Sequence, residues 1–175
     1  SNTIAMRFID DLLNSVTMYK VALYGLWTLT GVALLFAMLG LLPFTFLALV
    51  GSLVLILATS YLFNQLLAKL FSVPANVESV WITGLILFLI LVPATTGYEV
   101  FGVVMITLIA MASKYVLAIE KKHIFNPAAI ALVVMGLAGS DLAIWWIGND
   151  IMWPIVAIVG LLIVRKIRRM QMFFV

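Results

Sequence analysis

The chain has 175 residues, of which 66% are hydrophobic and only 10% carry a charge, against roughly 25% in an ordinary soluble domain. This composition excludes a soluble globular domain, a disordered chain and a nucleic-acid-binding module, although the formal net charge is +3. The absence of cysteine excludes disulfides, thiolate catalysis and cysteine-ligated iron–sulfur clusters. The single histidine, His123, excludes a haem held by two histidines of this chain and argues against a multi-histidine metal site.

Six apolar runs predict membrane-spanning helices, since such a helix needs about 20 mostly apolar residues. In chain order they cover about residues 20–41, 44–68, 79–93, 98–118, 127–139 and 151–165. Before them, residues 1–18 carry apolar side chains at helical spacing with polar residues between, which favours an amphipathic helix lying in the membrane interface. The predicted fold is therefore all-α and polytopic, with six spans in a membrane domain over residues 19–169 and the start of a cytoplasmic tail at 170–175.

The basic residues predict the orientation of the spans. All ten lie at the chain ends or around the connectors between spans 2 and 3 and between spans 4 and 5. The other connectors carry Glu99, Asp141 and Asp150 but no lysine or arginine. Because Lys and Arg are retained in the cytoplasm during insertion, both termini are expected there. Four aromatic residues at the opposite boundary are typical of an interfacial belt: Tyr98, Trp145, Trp146 and Trp153.

Spans 3 and 5 are short for a hydrocarbon core of about 30 Å. Short or interrupted helices often mark a binding site in a membrane protein, because their ends place backbone polar groups at depth. Span 5, with about 13 residues, is too short to cross the hydrocarbon core alone. It crosses only if residues 141–148 re-enter the membrane or if neighbouring helices shield its ends from lipid. The alternative is that residues 143–147 simply complete the span.

Span 5 opens with Asn126 and Pro127, an ordinary N-cap followed by the residue most tolerated at the first helical position. The alternative is a ligand site, because a helix N-terminus beside Lys121, Lys122 and His123 would attract an anionic or electron-rich group. Spacing alone leaves both interpretations open.

Span 3 has a polar face made by Asn76, Ser79 and Thr83. These hydroxyl groups can bond to their own helix, to a neighbouring helix, or to a polar ring system. Lys114 lies near the cytoplasmic end of span 4, where snorkelling would relieve most of the cost of burying a lysine. Its neighbour Tyr115 belongs to a polar cluster that could face the protein.

The segment SKYVLAIEKKHIFNPAAIALV, residues 113–133, resembles the NqrB/RnfD family, the membrane subunits of the sodium-pumping NADH:quinone oxidoreductase and of the Rnf complex. Lys114 and the motif F-N-P-A at residues 125–128 match the family pattern of a lysine, a loop and a new helix. Residues 76–93 are similar to the preceding family helix, with Ser79 and Thr83 in the pattern S-x-x-x-T-x-L-x-L. The whole chain resembles a shorter bacterial branch that continues into a ferredoxin–NADP reductase-like domain.

The resemblance implies a flavin, FMN or riboflavin, within the membrane domain, and FAD only in the reductase domain. By motif match, the expected flavin contacts are Asn76, Ser79, Thr83, Lys114, His123, Asn126 and Pro127. The family's motif for covalent FMN attachment is missing, because residues 94–97 have a different order, so we expect a non-covalent flavin. Electrons would pass from an NAD(P)H-oxidising cytoplasmic domain to a quinone or an extracytoplasmic acceptor, and this chain alone would hold no complete active site.

Two other functions compete with electron transfer. One is a transporter or channel for a flavin, an ion or a small neutral solute, and the other is a plain membrane anchor for a soluble domain. The expected location is the bacterial cytoplasmic membrane. The expected partners are the lipid bilayer, the reductase domain of the parent chain and a quinone, with a homodimer left open and no nucleic acid.

Overall fold

The computed structural model describes residues 17–119, 122–123 and 126–166, with side chains described for 17–117 and 126–164. The predicted interfacial helix, apart from its last two residues, and the predicted tail lie outside these ranges. Six α-helices occur in the described chain: α1 Met18–Met38, α2 Phe46–Leu70, α3 Val77–Ile90, α4 Gly97–Val116, α5 Pro127–Leu137 and α6 Trp153–Lys166. Two short strands, β1 Ala118–Ile119 and β2 Lys122–His123, pair antiparallel between α4 and α5, and a 3-10 turn covers Trp146–Gly148.

The helices have the composition of a membrane-embedded protein. Three of them, α1, α2 and α4, have 21, 25 and 20 residues and are long and apolar enough to cross a membrane. The others are shorter apolar helices. Large apolar side chains point outward from the bundle, such as Leu47, 80% exposed, and Leu137, 85% exposed. In water such surfaces would aggregate, whereas lipid tails accept them.

Helix α3 is the centre of the bundle and packs against α1, α2, α4 and α5. It is buried around most of its circumference, which is expected for a helix that is apolar on all sides. Its approach to α2 depends on Gly84. A Cβ atom there would lie 2.9 Å from Leu57 Cδ2 and 3.3 Å from Ser60 Oγ, so the missing side chain lets the two helices close together.

Helix α3 ends at Ile90, three residues before the predicted end, because the following residues pair with an extended segment at 142–144. The N–H of Val92 donates to the carbonyl of Leu142 at 2.8 Å, and the N–H of Ile144 donates to the carbonyl of Ile90 at 3.0 Å. Helix α5 stops at Leu137. The alternative in which residues 143–147 complete span 5 is therefore wrong, and the segment after α5 folds back onto the end of α3.

Trp146 holds this segment in place, and its assignment to the interfacial belt is wrong. The side chain is 6% exposed and its ring meets Phe44 and Phe88 edge-on, with centroids 5.9 and 5.5 Å away. Its Nε1–H donates to the carbonyl of Phe88 at 2.9 Å. That carbonyl has lost its usual helical donor, because the N–H of Val92 bonds to Leu142 instead. The other three belt residues are exposed, and their place in an interfacial belt stays a prediction: Tyr98, Trp145 and Trp153.

Candidate functional site

Three helix ends meet at one end of the bundle. Lys114, in the last turn of α4, reaches the first turn of α3, where its Nζ donates to the carbonyl of Ser79 at 2.7 Å and to Ser79 Oγ at 3.1 Å. Helix α5 packs along α4 and begins just after the β1–β2 hairpin that follows α4. The end of α4 and the starts of α3 and α5 therefore lie at the same end of the bundle.

The start of α3 is organised around Ser79. The side chain of Asn76 accepts a hydrogen bond from the N–H of Ser79 at 3.1 Å and caps the helix. The hydroxyl of Thr83 donates to the carbonyl of Ser79 at 2.9 Å, so Thr83 bonds to its own helix. Four of the predicted site residues, these three and Lys114, are thus linked by hydrogen bonds. Thr83 is 4% exposed, which leaves its hydroxyl little access to a ligand.

The Lys114 ammonium is held by the protein, whereas the sequence favours a snorkelling side chain. The residue is half-buried, and both partners described for it are neutral oxygens of Ser79. A lysine in apolar surroundings costs about 2.5–3.5 kcal/mol on insertion scales, and hydrogen bonds to the ammonium offset part of this cost. Neither of these described partners carries a negative charge.

A second hydrogen-bonded contact, next to that of Lys114 with Ser79, joins α4 to α2. The hydroxyl of Tyr115 donates to Asn64 Oδ1 at 2.8 Å and approaches the Asn64 carbonyl oxygen at 3.2 Å. Sequence reasoning missed Asn64. The available signal was the spacing of Asn64, four residues after Ser60, because this spacing places both polar side chains on one face of α2.

Asn126 caps α5, as its ordinary interpretation predicts. Its Oδ1 accepts a hydrogen bond from the N–H of Ala128 at 3.0 Å, and Pro127, which is buried, takes the first helical position. Asn126 itself is exposed, and its Nδ2 group is not used by this bond. No hydrogen bond among the described residues joins Asn126 to the Lys114 cluster, which consists of Lys114, Ser79, Asn76 and Thr83. His123 lies in β2, and its side chain is outside the described part of the molecule.

Three buried polar atoms have no hydrogen-bond partner among the described residues: Thr30 Oγ1, Ser60 Oγ and Asn64 Nδ2. Over the same residues, no group of three His, Cys, Asp or Glu side chains could hold a metal ion.

The described groups at this end of the bundle include several hydrogen-bond donors. The Lys114 ammonium has three N–H groups, of which Ser79 takes two, and the side-chain amides of Asn76 and Asn126 can also donate. This set fits a ligand rich in hydrogen-bond acceptors. Comparison of the chain with protein-family models, with curated proteins and with solved structures returns no match.

Proposed function

We propose that the chain is a membrane flavoprotein domain that binds FMN or riboflavin non-covalently where α3, α4 and α5 meet. The observation that best supports this is the placement of Lys114, whose ammonium is fixed by two neutral oxygens against the start of a short, buried helix. A site of this kind favours a ligand that carries or develops negative charge. The match of Lys114 and the F-N-P-A motif to the NqrB/RnfD pattern supports a flavin as that ligand.

The described side chains fit an isoalloxazine ring in their chemistry. Its carbonyl oxygens and ring nitrogens are acceptors, and Lys114, Asn76 and Asn126 present donors at the same end of the bundle. Thr83 fits less well, because its hydroxyl is buried and already donates to its own helix. Pro127 has no backbone N–H to donate and would contribute a rigid, buried wall to the site at the start of α5.

A bound flavin would supply the ability to accept and pass on one or two electrons. The contribution of the chain is to bind and orient it. Lys114 would stabilise negative charge on the bound ring. Its hydrogen bonds to Ser79 would keep the ammonium in position, and the hydrogen bond from Tyr115 to Asn64 would hold the same end of α4 against α2. The apolar bundle around α3 would exclude water from the buried edge of the ligand.

In a bacterial cytoplasmic membrane, the six helices would be six spans with both termini in the cytoplasm, α3 and α5 being the broken ones. The Lys114 end of the bundle then lies near the cytoplasmic side. Electrons would arrive from an NAD(P)H-oxidising domain of the parent chain and leave to a quinone or an extracytoplasmic acceptor. The separation of basic from acidic connectors supports this orientation.

The experiment is purification in mild detergent, followed by the visible spectrum and the mass of any small molecule released by acid. We expect the absorbance of an oxidised flavin, bleaching by dithionite, recovery in air, and complete release of FMN or riboflavin into the acid supernatant. Protein that remains colourless after incubation with both flavins would contradict the proposal. Flavin retained by the denatured polypeptide would contradict non-covalent binding.

A transporter is the second candidate. The segments that follow the short helices α3 and α5 pair with each other, and interrupted helices of this kind are also typical of transport proteins. The buried Trp146 at the end of α3 argues against an open channel in this conformation. Flavin uptake into vesicles, at a rate above that of protein-free vesicles, would favour transport over electron transfer.

A further inference from the structure

Two buried polar side chains, each with one atom that lacks a hydrogen-bond partner among the described residues, lie one helical turn apart on α2. Ser60 is fully buried and Asn64 is 3% exposed, and their i, i+4 spacing places them on the same face. Ser60 Oγ and Asn64 Nδ2 have no partner among the described residues. An unsatisfied buried donor or acceptor is costly, and lipid cannot supply the missing hydrogen bond. Because Ser60 Oγ and Asn64 Nδ2 lie on the same face of α2, one small molecule could form hydrogen bonds with both.

The neighbours of the two side chains limit the size of that partner. Ser60 faces α3, since a Cβ atom at Gly84 would lie 3.3 Å from Ser60 Oγ, and Leu57 closes the same gap. Asn64 faces α4, since its Oδ1 accepts from the hydroxyl of Tyr115 at 2.8 Å. This close approach of α2 to α3 favours a small partner, such as a single water molecule, over a multi-atom ligand such as a flavin ring.

We propose that Ser60 and Asn64 bind an ordered water molecule between α2 and the α3–α4 pair. The side-chain amide N–H of Asn64 donates a hydrogen bond to the water. The Ser60 hydroxyl, which can donate or accept, forms a second hydrogen bond with the same water. Buried waters in proteins serve groups of this kind, with two to four polar partners each. Through Tyr115, the water extends the polar contacts of the Lys114 end of the bundle into the interior. This site does not depend on flavin binding.

Thermal unfolding of Ser60→Ala, Asn64→Leu and the double variant in detergent is the first test. With water bound, Ser60→Ala removes a partner from the water and the amide, so the midpoint falls by roughly 2–10 °C. The double variant replaces the whole polar group with apolar side chains, so its loss is smaller than the sum of the single losses. Ser113→Ala is the matched control, because Ser113 is also buried and its hydroxyl donates to the Ala110 carbonyl of its own helix.

Radiolytic hydroxyl labelling is the second test, because radicals formed from an ordered water oxidise the side chains beside it. We expect oxidation of Leu57 in the wild-type protein and its loss in the double variant. The water site requires both the expected unfolding midpoints and the expected labelling of Leu57. A Ser60→Ala protein of unchanged or higher midpoint, additive effects of the two substitutions, or Leu57 labelling equal in both proteins would overturn the water site.

Discussion

The ammonium of Lys114 donates to both oxygens of Ser79, the carbonyl at 2.7 Å and the hydroxyl at 3.1 Å, and so joins the last turn of α4 to the first turn of α3. Thr83 donates to the same carbonyl at 2.9 Å. These oxygens fix the position of the charge but do not neutralise it. A fixed cation in apolar surroundings interacts more strongly with a nearby anion than it would in water.

Lys114→Met tests this charge, because methionine keeps a long flexible chain and removes the ammonium. If Lys114 bonds the flavin, the substitution removes a charged hydrogen bond of about 1.5–3 kcal/mol, so flavin affinity falls roughly ten- to 150-fold. The flavin-to-protein absorbance ratio of matched preparations, followed by titration of the apoprotein with FMN, measures the loss.

Lys69→Met is the matched control for this substitution. Lys69 is exposed in the last turn of α2, so its loss removes an equal charge outside the Lys114 cluster. We expect wild-type flavin affinity for Lys69→Met. Equal losses in the two variants would show that net charge, rather than the position of Lys114, controls binding.

Trp146→Phe tests how Trp146 stabilises the C-terminal end of α3. Phenylalanine keeps most of the ring packing against Phe44 and Phe88, but it leaves the carbonyl of Phe88 without its donor. We expect a loss of about 1–3 kcal/mol in the free energy of unfolding. Trp153→Phe, at a site that is 58% exposed, should change it by less than about 0.5 kcal/mol. Equal unfolding curves in detergent for both variants would count against the role of Trp146.

Gly84→Ala tests the close approach of α2 and α3. The new methyl group would meet Leu57 and Ser60, so the helices must shift, at a cost of about 1–3 kcal/mol. Gly31→Ala in α1 is the control, because a Cβ atom there meets nothing within 4 Å. That substitution should be neutral or stabilise the protein by up to about 1 kcal/mol through helix propensity. The reverse order of stability would show that the interface is loosely packed.

Single-cysteine variants test the orientation, and the absence of native cysteine makes them straightforward. Ser72→Cys, between α2 and α3, and Asp141→Cys, after α5, are both at exposed positions. A membrane-impermeant thiol reagent added to intact cells should modify position 141 and spare position 72 until the cells are permeabilised. Labelling of position 72 in intact cells would overturn the proposed topology.

The sequence predicts the order of the helices well, because apolar runs and capping residues are local signals. Helix α2 was expected at 44–68 and occupies Phe46–Leu70, and Asn76 and Asn126 cap the helices they were expected to begin. Whether all six helices cross a membrane stays a prediction. The bond between Lys114 and Ser79 joins residues 35 positions apart, and only the packing of α3 against α4 brings them together.

The aromatic residues show where local reasoning fails. Trp145 and Trp146 are adjacent and chemically identical, yet the first is 63% exposed and the second 6% exposed. Their difference depends on the backbone of residues 142–144, which pairs with the end of α3 and turns one ring inward. Asn64 was missed for a similar reason, since its partner Tyr115 lies on another helix.

Asn126 offers the sharpest residue-level test of the flavin site. As a cap alone, it could be replaced by Ser with little loss, because both residues accept a hydrogen bond from the first turn, whereas Ala would cost about 1 kcal/mol. If the amide also bonds the flavin, its Nδ2 supplies a donor that Ser cannot place at the same point while capping.

We therefore expect Asn126→Ser to remain folded and monodisperse and to bind flavin roughly five- to 150-fold more weakly, from a lost hydrogen bond of about 1–3 kcal/mol. Thr45→Ser is the matched control, because Thr45 caps α2 through the N–H of Ala48 and lies outside the proposed flavin site. We expect it to keep both its cap and wild-type flavin affinity. The unfolding midpoint and the flavin titration of each variant separate the two roles. An Asn126→Ser protein with wild-type flavin affinity would leave Asn126 as a cap alone and remove it from the flavin site.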